Sequence, residues 1–499
     1  MTQPSHLLDL VGSNLRRCLR IRDKLVEAGL FLPGQTGNPP ASSLLHSATN
    51  TWRIAPVPFS LSCEQVTWFS SLGAPLLSFY RALNRLYGES VRGTQPAWIA
   101  GYLDQGKPEA LVTYSRMKRF RDQLPAVIRP DVIPTSDGMV VTELDSVPGG
   151  IGLTACLAHL YAVTDSGSPS PIGGSDGMIQ GFAAMLRDQQ GQHPGCVAML
   201  VSDEAKDYRP EMKWLADRLR ERGVDCYCVE PRDIRFTEDN LFLSIGTEER
   251  PVGLIYRFYE LFDLMNIPKA ELVQYAVKKE RVAVTPPYKP ALEEKLAFAL
   301  LHHPILSRYW QEELGHEAFL QLTTVMPRTW VLDPAPIPPS ATIPGLSLAG
   351  RAVANWSDLA TATQKERHFV IKPSGFSELA WGSRGVSVGH DMPQTEWAAA
   401  LDSALSSFPQ TPYVLQEFHK GRLFDVSYFD PLTDDMKQMA GRVRLSPYYF
   451  VRGEKAELGG ILATICPADK KVIHGMKDAV MVPCALAPEP RETPDTSAE

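Results

Sequence analysis

Two strand-like runs in the first third of the chain carry the residues best suited to chemistry. In AVIRPDVIPTSDGMVVTELDS, Arg129 and Asp131 lie two apart on one run, and Glu143 and Asp145 lie two apart on the next. Side chains alternate faces along a strand, so each pair points to one face. Ser136-Asp137-Gly138 between β-branched runs predicts a hairpin turn. Pairing across it gathers one guanidinium and three carboxylates on one surface. Anions at such close range repel unless a cation joins them. A Mg²⁺ ion takes carboxylate and phosphate oxygens together, leaving the arginine to meet a phosphate or acyl phosphate. The other reading is a solvated hairpin face with ordinary ion pairs.

Three further segments carry candidate groups. In HFVIKPSGFSELAWGSRGVSVG, Lys372 ends an apolar strand and opens a loop with Gly375, Gly382, Gly385 and Gly389. Backbone N–H groups of such a loop can close on phosphate oxygens, with Lys372 supplying a mobile positive charge. A hairpin with glycine turns is the alternative, and without a GK[ST] sequence a P-loop is disfavoured. In YVLQEFHKGR, a strand ending at Gln416-Glu417-Phe418 could offer backbone groups to an adenine edge and Phe418 as an apolar wall, or be an ordinary core strand. Lys295, in ALEEKLAFAL, reads by itself as a lysine on a helix surface.

The elements that must hold these groups follow from apolar spacing. LLDLVGSNLRRCLRIRDKLVEAGLF and TWFSSLGAPLLSFYRALNRLYGE repeat apolar residues every three or four positions, which predicts helices over the first hundred or so residues. The Pro/Gly/Ser-rich LPGQTGNPPASS joins them as a loop. After the hairpin come a VPGGIG turn, the helical LTACLAHLYAV and a second break, GSPSPIGGSDG. CVAMLVSD, VDCYCVEP and VGLIYRFYEL then read as strands around the helix EMKWLADRLRERG, a small parallel α/β unit without a GxGxxG dinucleotide turn. PALEEKLAFALLHHPIL reads as helix, HFVIKPSGF, YVLQEF and GRVRLSPYYFVRG as strands, and APEPRETPDTSAE as disordered.

A chain of 499 residues exceeds one ordinary core, and roughly two to four domains are expected. The formal charge of −7 and the absence of a basic block interleaved with aromatics argue against a nucleic-acid partner. The start is amphipathic and broken by Arg pairs, unlike a signal peptide, and no window approaches the roughly 18 apolar residues of a membrane span. No membrane association is expected, and a cytoplasmic location is. The eight cysteines include no CxxC pair, so reduced thiols are expected rather than a zinc site.

Taken in order along the chain, these parts resemble the circularly permuted ATP-grasp proteins, the group that includes glutathionylspermidine synthase. The match rests first on Arg-x-Asp, an eleven-residue gap, and Glu-x-Asp, where the group has Glu-x-Asn. It covers about Leu124 to Cys484. The resemblance implies a mixed α/β (α+β) fold in which the metal-binding strands precede the nucleotide lysines. It implies Asp131, Glu143 and Asp145 as Mg²⁺ ligands, and Arg129 neutralising the transferred phosphate. Lys295 and Lys372 would contact ATP under a lid carrying Gly382 and Gly385, with Gln416, Glu417 and Phe418 as the adenine hinge. Residues 1–115 form a helical region that the resemblance does not cover and that is expected to shape a substrate pocket, 116–165 the first ATP-grasp part, and 195–265 a small Rossmann-like domain containing Arg257. Residues 266–487 form the nucleotide-binding part and 488–499 a disordered tail. The expected activity is ATP-dependent ligation of a small-molecule carboxylate to an amine. A nucleotide-binding or scaffold protein without catalysis is the alternative. Asp145 in place of Asn adds a negative charge at the metal site, and the loop after it, SVPGGIG, also departs from the group. No Cys-His amidase domain precedes the synthetase-like part.

Overall fold

The Asp-Gly turn and flanking β-branched residues form a hairpin of strands Val127–Pro134 and Met139–Asp145, with Gly138 at a φ of 136°. That conformation is one a Cβ would strain. The computed structural model describes residues 4–31, 51–163, 169–380, 382, 384–431, 433–470, 473 and 477–488. The LPGQTGNPPASS connector, the first two residues of GSPSPIGGSDG and the closing tail from residue 489 lie outside the described residues.

Among the described residues the chain builds sheets of eight, six, four and two strands. The hairpin forms one edge of the eight-stranded sheet. Its first strand pairs antiparallel with Asp435–Arg452, which pairs in turn with Leu423–Asp430 and Lys455–Pro467. Lys477–Leu486 lies beyond Lys455–Pro467. Two short strands, Thr51–Arg53 and Phe59–Leu61, run parallel to Lys477–Leu486. Helices Pro4–Glu27 and Cys63–Val91 lie where the spacing predicts them, but these two strands make the early chain part of the main sheet. Three residues are too few to display a period of two.

Helix Cys63–Val91 starts at a Ser62/Gln65 capping box and buries Phe69, Leu72, Leu76, Phe79, Leu83 and Leu86. Gly73 lets it close on the sheet, since a Cβ there would stand 2.5 Å from the carbonyl oxygen of Ala456.

In the six-stranded sheet, Cys226–Val229, Cys196–Val201, Glu248–Phe258 and Ala283–Thr285 are mutually parallel, and two short antiparallel strands extend it. Every residue of Cys196–Val201 is buried, as expected of a parallel strand covered on both faces. The four-stranded antiparallel sheet runs Thr329–Val331, Tyr413–Glu417, Phe369–Pro373, Ser387–Val388. It has its own core around Leu332, Ile371, Trp397, Leu401 and Leu415.

The run PALEEKLAFALLHHPIL is not one helix. A 3₁₀ turn at Pro290–Leu292 and a helix at Ala297–His302 flank a crossing segment that contains Lys295. There the Lys295 N–H donates to Ser374 O at 2.8 Å and the Leu296 N–H to Ser374 Oγ at 2.9 Å. These tertiary bonds override the helical preference of the residues. No described helix is long and apolar enough to cross a membrane.

Candidate functional site

The hairpin register sets Arg129 opposite Asp145 and Asp131 opposite Glu143, with an irregularity between Asp131 and Val132. Arg129 Nη2 stands 2.9 Å from Asp145 Oδ2 and 3.3 Å from Asp131 Oδ1. From the neighbouring strand, Arg444 Nη1 reaches Asp131 Oδ2 at 3.2 Å and Ser446 Oγ donates to Asp131 Oδ1 at 3.2 Å. Burial disfavours charge on Asp131, yet Arg129, Arg444 and Ser446 together hold its pKa below the usual value. Asp145 goes the other way. Burial raises its pKa, Arg129 opposes the rise, and the nearby Glu143 and Asp131 add to it. At the cleft end of the hairpin Asp145 thus lies among like charges.

Both expected lysines reach this hairpin from the later chain. Lys295 Nζ lies 2.8 Å from Glu143 Oε1. Burial works against the Lys295 charge, but Glu143 and Asp145 outweigh it and raise the pKa. Lys372, on Phe369–Pro373 of the smaller sheet, donates from Nζ to Thr142 O at 2.9 Å. Its burial, only partly countered by Glu143, lowers its pKa to about 8. The two sheets thus meet at Lys372, across one cavity of about 1670 Å³.

That cavity is lined by Arg129, Asp131, Glu143, Asp145, Lys295 and Lys372, and also by Gly382, Gln416, Glu417 and Phe418. Gly385 does not line it. Its N–H donates to Leu379 O, and a Cβ there would meet Pro373 at 2.9 Å, so this glycine serves close packing of the loop on the strand. In the hinge segment Gln416 is buried, donating to Thr329 Oγ1. The N–H groups of Glu417 and Phe418 go to Arg328 O and His368 O. A base resting there would meet the carbonyls and side chains of these two residues, with Val370, Val388 and Phe418 as apolar walls. Arg257 is fully buried, paired with Glu293 and bonded to Pro286 O, a structural tie behind the cleft rather than part of its lining.

Several cleft residues escaped the sequence reading. Glu204, Glu260, Asp263 and Glu378 give the cavity an acidic rim. Burial, then Glu204 and Glu378, push Asp263 up to about 6. Acids scattered over loops and short 3₁₀ turns carry no spacing signal. Arg442 and Arg444 did carry one, standing two apart in GRVRL like the residues of the hairpin. Behind the VPGGIG turn, Glu211 caps helix Ile151–Val163 by accepting the Gly150 and Leu153 N–H groups at 2.7 and 2.8 Å.

Among the described residues, no group of three or more His, Cys, Asp or Glu encloses a space for a metal ion. Glu143 and Asp145 are about one third and one quarter exposed on the cleft side, whereas Asp131 is buried beneath its two arginines. Magnesium commonly takes one or two protein carboxylates and completes its shell with water and phosphate. Two reachable carboxylates fit that habit. A closed protein cage is absent among the described residues.

No protein-family model matches the chain, and no curated protein does. Among solved structures, a glutathione synthetase-like effector from Globodera pallida, in its apo form, aligns with a TM-score of 0.56 at 12% identity, over 98% of each chain. A candidate gamma-glutamylcysteine synthetase from Methylobacillus flagellatus aligns over 86% of this chain and 91% of that one, also at 12% identity. Its TM-score of 0.38 carries no argument. The chain shares with the effector a mixed α/β fold of several sheets.

Proposed function

We propose that the chain is an ATP-dependent carboxylate–amine ligase on a circularly permuted ATP-grasp fold, acting through an acyl phosphate. In this reading residues 116–165 supply the hairpin, 195–265 a small α/β domain and 266–487 the nucleotide half, while 1–115 complete the cleft. The observation that carries it is the meeting of Lys295 and Lys372 on the Glu143 hairpin, in the cavity that Gln416, Glu417 and Phe418 also line.

The roles follow from charge. The base lies against Phe418 and the small sheet, with its phosphates toward Lys372, Lys295 and the Gly382 loop. Glu143 and Asp145 would hold Mg²⁺, with Asp131 joining them once Arg129 and Arg444 turned to phosphate. The ion would supply charge neutralisation at the transferred group. An oxygen of the substrate carboxylate attacks the γ-phosphorus, the bond to the β-phosphate oxygen breaks, and ADP leaves. The amine nitrogen then attacks the acyl carbon, phosphate departs, and the nitrogen loses a proton. Arg129 sits where it would meet charge on the acyl phosphate, and positive groups fixed in a dry site act strongly there. Closure of the Gly382 loop excludes water that would hydrolyse the intermediate.

Trapping tests this. Hydroxylamine displaces phosphate from an acyl phosphate and leaves a hydroxamate. With Mg-ATP, hydroxylamine and a pool of amino acids and short peptides, hydroxamate is expected in step with ADP. A second reading, nucleotide binding without ligation, draws on the ion pairs that already neutralise Asp131, Glu143 and Asp145. ADP release that no acid accelerates, with no hydroxamate, supports it against the ligase.

A further inference from the structure

The cavity is larger than the roughly 300–1,000 Å³ typical of a small-molecule site, which leaves room beyond a nucleotide. Its floor on the eight-stranded sheet changes character from strand to strand. Next to Asp131 stand Arg444 and Ser446. Register sets Arg444 opposite Thr464 and Ser446 opposite Leu462, and Thr464 in turn opposite Met481. Residues two apart share a face, and all five line the cavity, as do Trp52 and Leu30 from the early chain. The floor thus runs from charged, through hydroxyl, to apolar.

Two polar groups on this floor lack partners. The Thr464 hydroxyl is fully buried with no hydrogen-bond partner among the described residues, and the buried Nε–H of Arg444 also has none. Buried polar groups are nearly always satisfied, so an orphan pair directly across a strand from each other marks a place for an acceptor. A carboxylate supplies two acceptor oxygens, and Arg444, which already meets Asp131 through Nη1, has its Nε–H left to donate.

We propose that this floor is the acid subsite, and that it takes a carboxylic acid with an apolar body. The carboxylate rests between Arg444 and Thr464, and the body lies over Leu462 and Met481 toward Trp52 and Leu30. The assignment to the acid of a ligation rests on the ligase reading, whereas the binding site itself does not.

The test is calorimetric titration of the full chain, without nucleotide, using butanoate, hexanoate, octanoate and glutarate. Affinity is expected to rise with chain length by roughly fourfold per methylene, with glutarate weaker than hexanoate. Thr464→Val, nearly isosteric, is expected to keep the fold by circular dichroism and weaken octanoate at least fivefold. Met481→Gln is expected to flatten the chain-length dependence and leave Mg-ADP binding unchanged. No octanoate binding, affinity independent of chain length, or binding unaffected by both variants overturns the subsite whatever the nucleotide does. Octanoate binding with this pattern but no Mg-ADP binding keeps the subsite and removes the ligase reading.

Discussion

Glu143→Ala is expected to reduce Mg-dependent ADP and hydroxamate formation by about 10³-fold, close to 4 kcal/mol of barrier. Glu143 is the most exposed of the three hairpin carboxylates, and it also holds Lys295 at 2.8 Å. Its loss removes a magnesium ligand and releases the lysine that should meet phosphate, so both sources of charge neutralisation fail together. Glu143→Gln keeps a hydrogen-bond acceptor for Lys295 but not the charge, and is expected to lose nearly as much. Glu143→Ala also costs stability, because Lys295 is only 12% exposed and loses its carboxylate partner, whereas Glu143→Gln leaves it an acceptor. Steady-state ADP release, read beside a thermal melt, checks both halves. Undiminished ADP release from a folded Glu143→Ala chain would remove Glu143 from the site.

Lys107→Ala carries the largest expected loss of stability. Lys107 Nζ lies 2.5 Å from Glu294 Oε1, and the two side chains are 0% and 1% exposed. Glu294 also accepts from Ser374 Oγ, so it fastens the crossing segment before Lys295 to the start of the glycine-rich loop. Removing the lysine leaves a carboxylate buried without a cation, which costs about 3–5 kcal/mol. Lys107→Met with Glu294→Gln leaves no buried charge and is expected to recover much of that loss. Urea midpoints for the two chains decide it. Equal destabilisation by the single and double variants would mean that the pair does not act as a unit.

The hairpin is legible in sequence because its information is local. Period-two spacing fixes the face of Arg129, Asp131, Glu143 and Asp145, and the Asp-Gly turn fixes their pairing. The strand ending at Lys372 and the hinge strand at Gln416 are legible for the same reason. Lys295 is not. Its neighbours favour helix, and only the bonds to Ser374, far along the chain, reveal a crossing segment. Arg442 and Arg444 show their shared face in sequence, but that Arg444 meets Asp131, 313 positions away, is a property of strand order. The acids at Glu204, Glu260, Asp263 and Glu378 converge from three separate segments. Leu30 and Trp52 show the early chain walling the cleft, which a helical pattern did not foretell.

In the ligase reading, Mg-nucleotide binds between Lys372 and the hairpin. Calorimetric titration of the chain with ADP, with and without Mg²⁺ at neutral pH, tests it most directly. Lys372 is mostly protonated there, since its pKa is about 8. Binding that requires Mg²⁺ is predicted, weakened about tenfold to a hundredfold in Lys372→Ala by loss of a charge-assisted hydrogen bond. No binding at millimolar nucleotide, or binding indifferent to both Mg²⁺ and Lys372, would contradict the account and leave a shared fold without its chemistry.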